Sequence, residues 1–209
     1  MSRHFVEGEK IDVGFDGKRC IHSRNCVLGH PEVFVPNTPG EWIHPDAGTV
    51  ESIAMVAANC PSGAITYRRH DGGPQEAPPE VNLARLRENG PIAVNAEMRL
   101  ADETVLRATL CRCGASQNKP FCDGSHNKSG FSATGEPASK ESSALATRNG
   151  PLEVTPLPNG PLKVDGNLEI VTGTGRTVDR VTRAFLCRCG HSQNKPFCDG
   201  SHKAAGFVG

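Results

Sequence analysis

Residues 111–131 read CRCGASQNKPFCDGSHNKSGF and residues 187–207 read CRCGHSQNKPFCDGSHKAAGF; of these 21 positions only 115, 127, 128 and 129 differ. One supersecondary unit is therefore used twice, and the architecture must accommodate two equivalent halves. The likeness continues upstream, where Gly90-Pro91-Ile92-Ala93-Val94 is echoed by Gly160-Pro161-Leu162-Lys163-Val164. From there each copy runs through alternating apolar and polar residues into Thr109-Leu110-Cys111 or Phe185-Leu186-Cys187, a pattern that predicts strands. The second copy holds six extra residues around Gly173-Thr174-Gly175-Arg176, expected as a longer hairpin loop. Without a following Gly-Lys-Ser/Thr, the Gly-x-Gly there is no phosphate loop.

The nine cysteines of this 209-residue chain fall in three groups of three: 20, 26 and 60; 111, 113 and 122; 187, 189 and 198. An odd total weakens a disulfide framework. Cysteines one residue apart also make strained, poorly aimed partners. The start of the chain, Met1 to Lys10, has no apolar leader core, which predicts a cytoplasmic, reducing location where clustered thiols bind metal. Hydrophobic residues are 36% and aromatics 5%, against 23 Gly and 16 Pro, so apolar burial alone is a thin source of stability and bound metal is expected to add to it. Lys+Arg and Asp+Glu are balanced at 23 each, which argues against an electrostatic nucleic-acid binder. No apolar run reaches the roughly 20 residues of a membrane span.

Each repeat offers three thiols and an imidazole at the spacing C-x-C-x8-C-x3-H: Cys111, Cys113, Cys122 and His126, then Cys187, Cys189, Cys198 and His202. Soft thiolates with one imidazole suit zinc or an iron–sulfur cluster, and donor type alone does not choose. A single zinc ion gathers four donors at one point. A two-iron cluster takes two pairs, Cys111 with Cys113 and Cys122 with His126. Asp123-Gly124 favours a tight turn into a helix that would turn backbone N–H groups toward anionic sulfides. His191 replaces Ala115 and reads as a variable loop residue. Lys119 and Lys195, beside the ligands, either ease reduction of a cluster or are simply solvated.

The run Cys-x-Cys-x2-Ser-x3-Pro-x-Cys-Asp-Gly-Ser-His resembles the signature of the CDGSH iron–sulfur (mitoNEET-like) family and occurs twice, complete, from Cys111 to His126 and from Cys187 to His202. The resemblance implies a [2Fe–2S] cluster in each copy, held by three Cys and one His. It also implies two such domains paired as a β-cap above a two-cluster region. With both copies in one chain, the expectation is an intrachain pseudo-dimer in a monomeric protein. A unit of about 45 residues seldom buries a sufficient core alone, which supports pairing independently.

In the stretch 10–67, Ile11, Val13 and Phe15 alternate as a strand, Glu51–Ala58 has helical spacing, and Ile65-Thr66-Tyr67 closes as a strand. Cys20-Ile21-His22-Ser23-Arg24-Asn25-Cys26 resembles the opening C-x2-C-x2-C run of bacterial-type ferredoxins with Ser23 at the middle cysteine, and Cys60-Pro61-Ser62-Gly63-Ala64-Ile65 resembles their closing motif. The region resembles the divergent single-cluster ferredoxin family, which implies a cluster on Cys20, Cys26 and Cys60. Three thiolates suffice for [3Fe–4S]; a [4Fe–4S] cluster takes a fourth donor from His22, Ser23 or solvent.

The expected fold is therefore α+β: a small ferredoxin-like α/β module over 8–70, a linker over 71–89, a first CDGSH-type domain over 90–135, a linker over 136–149 and a second CDGSH-type domain over 150–209. Within the first linker, Asn82–Arg87 reads as a short helical turn. The two repeats form a β-rich pseudo-dimer, a β-cap with cluster-binding loops and short helices. The expected function is one-electron transfer or redox sensing by three clusters, the first module passing electrons to the paired [2Fe–2S] centres. Cluster storage or delivery through labile His ligands is the alternative. The partners would be redox proteins or apo-acceptors. No Ser-His-Asp arrangement, nucleotide motif or paired carboxylates emerge, so no enzymatic activity is expected.

Overall fold

The computed structural model describes residues 3–100 and 102–209. The chain divides into two compact units, Met1–Ala77 and Pro78–Gly209.

The first unit holds a three-stranded antiparallel sheet in the order β1 (His4–Val6), β2 (Ile11–Phe15), β3 (Ile65–Arg69). Period-two alternation buries Ile11 and Val13 of β2, whose partners in β3 are Arg69 and Tyr67. Two helices lie between β2 and β3: α1 (Asn25–Gly29) and α2 (Val50–Ala58). Thr49 caps α2, its side chain accepting from the Ser52 N–H at 3.2 Å, and Val50, Ile53, Val56 and Ala57 form the buried face. That face meets Ile11, Val13, Val33, Phe34, Ile43 and Ile65 in one core.

The second unit is a six-stranded sheet with a single core drawn from both repeats. Its strands are β4 (Leu83–Leu86), β5 (Ile92–Leu100), β6 (Glu103–Leu110), β7 (Leu152–Pro156), β8 (Leu162–Val171) and β9 (Thr177–Leu186). The pairs β5–β6 and β8–β9 are antiparallel hairpins. β4 and β7 lie between them and each serves both. β4 runs antiparallel to the start of β5 (Leu83↔Asn95) and parallel to the end of β8 (Leu83↔Glu169). β7 runs antiparallel to the start of β8 (Glu153↔Asp165) and parallel to the end of β5 (Arg99↔Glu153). The exchange is thus equivalent residue for residue, and the register shifts in β5 after Asn95 and in β8 after Asp165 match as well. Strand exchange covers the inner edges of both hairpins, which neither repeat could cover alone. The extra residues of the second copy lengthen the turn between β8 and β9, as expected, and also the strand ends that flank it, with Gly175 at φ +101°.

β4 corrects the helical turn expected over Asn82–Arg87 within the 71–89 linker. Ala84 and Leu86 are fully buried with period two, and two strand edges stand ready to receive them, so tertiary pairing overrides the local helical preference. The 136–149 stretch has neither helix nor strand but is tied to the sheet. Lys140 N–H donates to Val178 O at 2.8 Å, Asn82 N–H donates to Arg148 O at 2.7 Å, and the Arg148 guanidinium grips the buried Glu169 at 2.6 and 3.0 Å.

Candidate metal centres

In each repeat the second strand of the hairpin runs directly into the first two thiols. β6 ends at Leu110 and β9 at Leu186, so Cys111 and Cys187 begin loops at the equivalent ends of the two outer strands. Each loop doubles back onto its strand: Leu110 bridges Phe121 and Leu186 bridges Phe197. The N–H of Cys122 reaches Thr109 O, and that of Cys198 reaches Phe185 O, both at 2.8 Å. This return brings the third thiol back beside the first two. Gly124 (φ +86°) and Gly200 (φ +90°) then turn left-handed into one helical turn each, Ser125–Asn127 and α3 (Ser201–Ala204), which carry His126 and His202.

The donors stand as pairs. Cys111 Sγ lies 3.8 Å from Cys113 Sγ, and Cys187 Sγ 3.7 Å from Cys189 Sγ. Nδ1 of His126 lies 3.3 Å from Cys122 Sγ, and Nδ1 of His202 3.4 Å from Cys198 Sγ. A tetrahedral metal with bonds of about 2.3 Å to sulfur and about 2.0 Å to nitrogen holds two thiolates about 3.8 Å apart, and a thiolate and imidazole about 3.5 Å apart. Each pair therefore has the spacing of two donors on one metal. Among the described residues no three His, Cys, Asp or Glu side chains gather around a single ion. Backbone N–H groups face the cysteine sulfurs: Ala115 to Cys113, Gly124 to Cys122, His191 to Cys189 and Gly200 to Cys198, each at 3.4 Å.

Electrostatics favour a bound cation. The hydrogen bond with Cys113, followed by burial, pushes the Cys111 thiol far up, while the same bond brings Cys113 down to about 6. Burial also raises Cys122, to about 11, and Cys189. A metal cation held by these side chains would offset these penalties by favouring the thiolate form.

Several residues that sequence reasoning did not single out hold the loops. Arg112 and Arg188 sit between paired cysteines yet are almost wholly buried. Arg112 donates to Gly90 O, Arg87 O, Thr134 O and Ala133 O; Arg188 donates to Gly160 O, Leu157 O and Gly209 O. Each arginine pins the thiol loop to the turn before the first hairpin strand and to the chain beyond the histidine. The available signal was the same charged residue standing between two ligands in both copies. Asp123 clamps its loop by accepting from Gln117 N–H (2.8 Å) and Ser125 N–H (2.9 Å), and Asp199 does the same for Gln193 and Ser201. Burial opposes the Asp123 charge, but these hydrogen bonds hold its carboxyl below the ordinary value. Lys119 Nζ is spent on Ser116 O at 2.7 Å and Lys195 Nζ on Ser192 O. His191, the variable position, is exposed. The two copies also touch: Cys113 bridges Cys189 as an antiparallel backbone pair, with Gly114 and Gly190 packed over the contact.

Cys20, Cys26 and Cys60 of the first unit line one cavity of about 500 Å³, together with His22, Ser23, Trp42 and Ser62. Burial raises the thiols of Cys20 and Cys26, and the charge of Cys60 raises both further. Asn25 Nδ2 donates to Asn59 O at 3.0 Å, fixing the loop of the first two thiols to the residue before the third.

The family profile described as "Iron-binding zinc finger CDGSH type" matches residues 89–127 and 159–203, and the one described as "Divergent 4Fe-4S mono-cluster" matches residues 6–70. Over 62 residues the chain is 47% identical to the uncharacterized protein YjdI of Escherichia coli K12, covering 29% of this chain and 79% of that relative. The chain carries two CDGSH-type iron-binding segments and, N-terminal to them in sequence, a divergent 4Fe-4S mono-cluster segment. The human CDGSH iron-sulfur domain-containing protein 2 is 46% identical over 48 residues, 23% of this chain and 34% of that protein. The tandem CDGSH-type repeats form an intrachain pseudo-dimer within one six-stranded sheet, and both matching profiles describe iron-binding or iron–sulfur modules. Among the described residues no helix is long and apolar enough to cross a membrane.

Proposed function

We propose that this chain is a one-electron carrier or redox sensor and not an enzyme. It would hold two [2Fe–2S] clusters, each on three Cys and one His, and a third cluster, [4Fe–4S] or [3Fe–4S], on Cys20, Cys26 and Cys60. The observation that carries the reading is the pairing of donors: 3.7–3.8 Å between thiols and 3.3–3.4 Å between thiol and imidazole, twice over. That spacing supports two metals per repeat, each with two protein ligands. Cys111, Cys113, Cys122 and His126 would hold one cluster and Cys187, Cys189, Cys198 and His202 the other. When bound, such a group supplies a one-electron couple, and the protein tunes it by burial and by N–H groups aimed at sulfur.

A ferredoxin-like role for the first unit is supported by a cavity that three thiols line together. The test is anaerobic purification followed by iron and sulfide analysis, absorption spectra and stoichiometric reduction. Reversible uptake of one electron per cluster supports the carrier. A colourless, zinc-loaded protein refutes it.

One observation favours cluster delivery as a second reading. His126 and His202 are partly exposed on single helical turns, whereas Cys111, Cys122 and Cys187 are 1–2% exposed. An imidazole that meets solvent is the corner that can open first. Transfer of colour to an apo-ferredoxin, abolished in H126C/H202C, would favour delivery.

A further inference from the structure

The first unit presents three thiols to one cavity and leaves a fourth donor open. Resting on the reading that Cys20, Cys26 and Cys60 hold a cluster, we infer that His22 supplies the fourth protein ligand, through Nε2, and that the cluster is [4Fe–4S].

Five histidines lie in this unit, at 4, 22, 30, 44 and 70, and of these His22 lines the cavity. His30 lies elsewhere, its Nε2 hydrogen-bonded to Ser52 Oγ at 2.9 Å, and His70 Nε2 is paired with Asp12 at 2.9 Å. The rival donor is Ser23, which also lines the cavity. A serine must give up its hydroxyl proton, at great cost near neutral pH, to match a thiolate. A neutral imidazole ligates iron with no such step.

The local backbone turns His22 toward the thiols. Its φ is +53° and that of Arg24 is +65°, so two left-handed residues that are not glycine flank Ser23. Such conformations carry a cost and persist where the surroundings enforce them. Here they coil the chain around Cys20. The His22 N–H points at Cys20 Sγ at 3.4 Å, and the ring follows, with Nδ1 3.9 Å from the same sulfur. With Nδ1 turned to the Cys20 sulfur, Nε2 is the ring nitrogen left to face a metal, since the partner of one ring nitrogen directs which nitrogen takes the metal. Among the described residues Nε2 of His22 makes no hydrogen bond. The hydrogen bond from Asn25 to Asn59 O ties the loop that follows His22 to the residue before Cys60, and His22 and Cys60 line the same cavity.

A three-iron centre needs no fourth protein ligand, and an imidazole at the open corner retains the fourth iron. The experiment compares the full-length protein with H22A, H22C and S23A, each reconstituted anaerobically and read by iron content and by EPR in the oxidised state. Oxidised [2Fe–2S] and [4Fe–4S] centres are silent in EPR, and an oxidised [3Fe–4S] centre is not, so the paired repeats do not obscure the readout. Wild type should carry about eight irons per chain and be silent. H22A should drop to about seven and gain the three-iron signal, whereas H22C, with a thiolate at the same corner, and S23A should stay silent at about eight. A three-iron signal in wild type, or an H22A protein that keeps its iron and its silence, overturns the assignment. Wild type with about four irons, all accounted for by the repeats, would instead refute the cluster on which it rests.

Discussion

Replacing Gly114 by alanine places one methyl group at the contact between the two repeats. The new Cβ would lie 2.5 Å from Cys189 O and 2.9 Å from Cys189 C, both backbone atoms that cannot swing aside. Gly114 also has φ +82°, a left-handed conformation in which any Cβ costs about 1–2 kcal/mol. Gly124 is the matched control. It has φ +86° and open space where its Cβ would go, so G124A incurs the backbone cost alone. Relieving the Gly114 overlap requires the two thiol loops to part by several tenths of an ångström. Overpacking of that kind costs about 1–3 kcal/mol more. Both substitutions keep their backbone N–H. The assay is the rate of visible-absorbance loss in urea, with EPR of the reduced protein to follow each cluster. G114A should lose its clusters roughly ten- to a hundredfold faster than G124A, and both clusters should suffer, because the displaced backbone belongs to Cys189 of the second copy. Equal rates for G114A and G124A, or damage confined to the first copy, would refute the shared contact.

R112M removes the charged anchor that joins four carbonyl groups and leaves them buried without their donor. A loss of about 3–5 kcal/mol is expected in thermal or urea stability, and a change below about 1 kcal/mol would contradict the pinning role. Below neutral pH the repeat clusters should be lost progressively. Burial lowers the His126 imidazole, so below roughly pH 6.5 the unfolded chain takes up the proton more readily than the folded one, and holding power falls as pH drops through the lowered value. H126C/H202C should slow that loss and lower the reduction potential, as read by absorbance decay at mildly acidic pH and by redox titration; equal decay rates would remove the histidines as the labile corner. A fragment spanning residues 78–135 should dimerise or stay cluster-poor, because its β4 lacks the β8 edge; sedimentation and iron content check this, and a monomer with a full cluster would count against strand exchange.

The chemistry of this protein was legible in its sequence because donors are local. Cys111, Cys113, Cys122 and His126 lie within 16 consecutive residues, and the repeat at 187–202 restates them. The apolar alternation of Ile92–Leu100 and Leu162–Val171 likewise marks strands, since period two is a property of a short segment. Arg112 and Arg188 were not legible as anchors: nothing about an arginine in a polar loop says that carbonyls from Arg87, Gly90, Ala133 and Thr134 will converge on it. Nor did the pattern announce that the ammonium groups of Lys119 and Lys195 would donate to the carbonyls of Ser116 and Ser192.

By itself the sequence determined which residues can bind metal, that one structural unit is used twice, and that the first three thiols stand apart from the other six. The tertiary structure decided how donors pair, which strand covers which edge, and that Cys113 meets Cys189 across the two copies. β4 shows the reason. Leu83–Leu86 carries a weak local preference toward helix, and it became a strand because β5, close by in the chain, and β8, far along it (Leu83 pairs with Glu169), offered it two edges at once. Pairing between distant segments depends on edges that exist only once the rest of the sheet has formed.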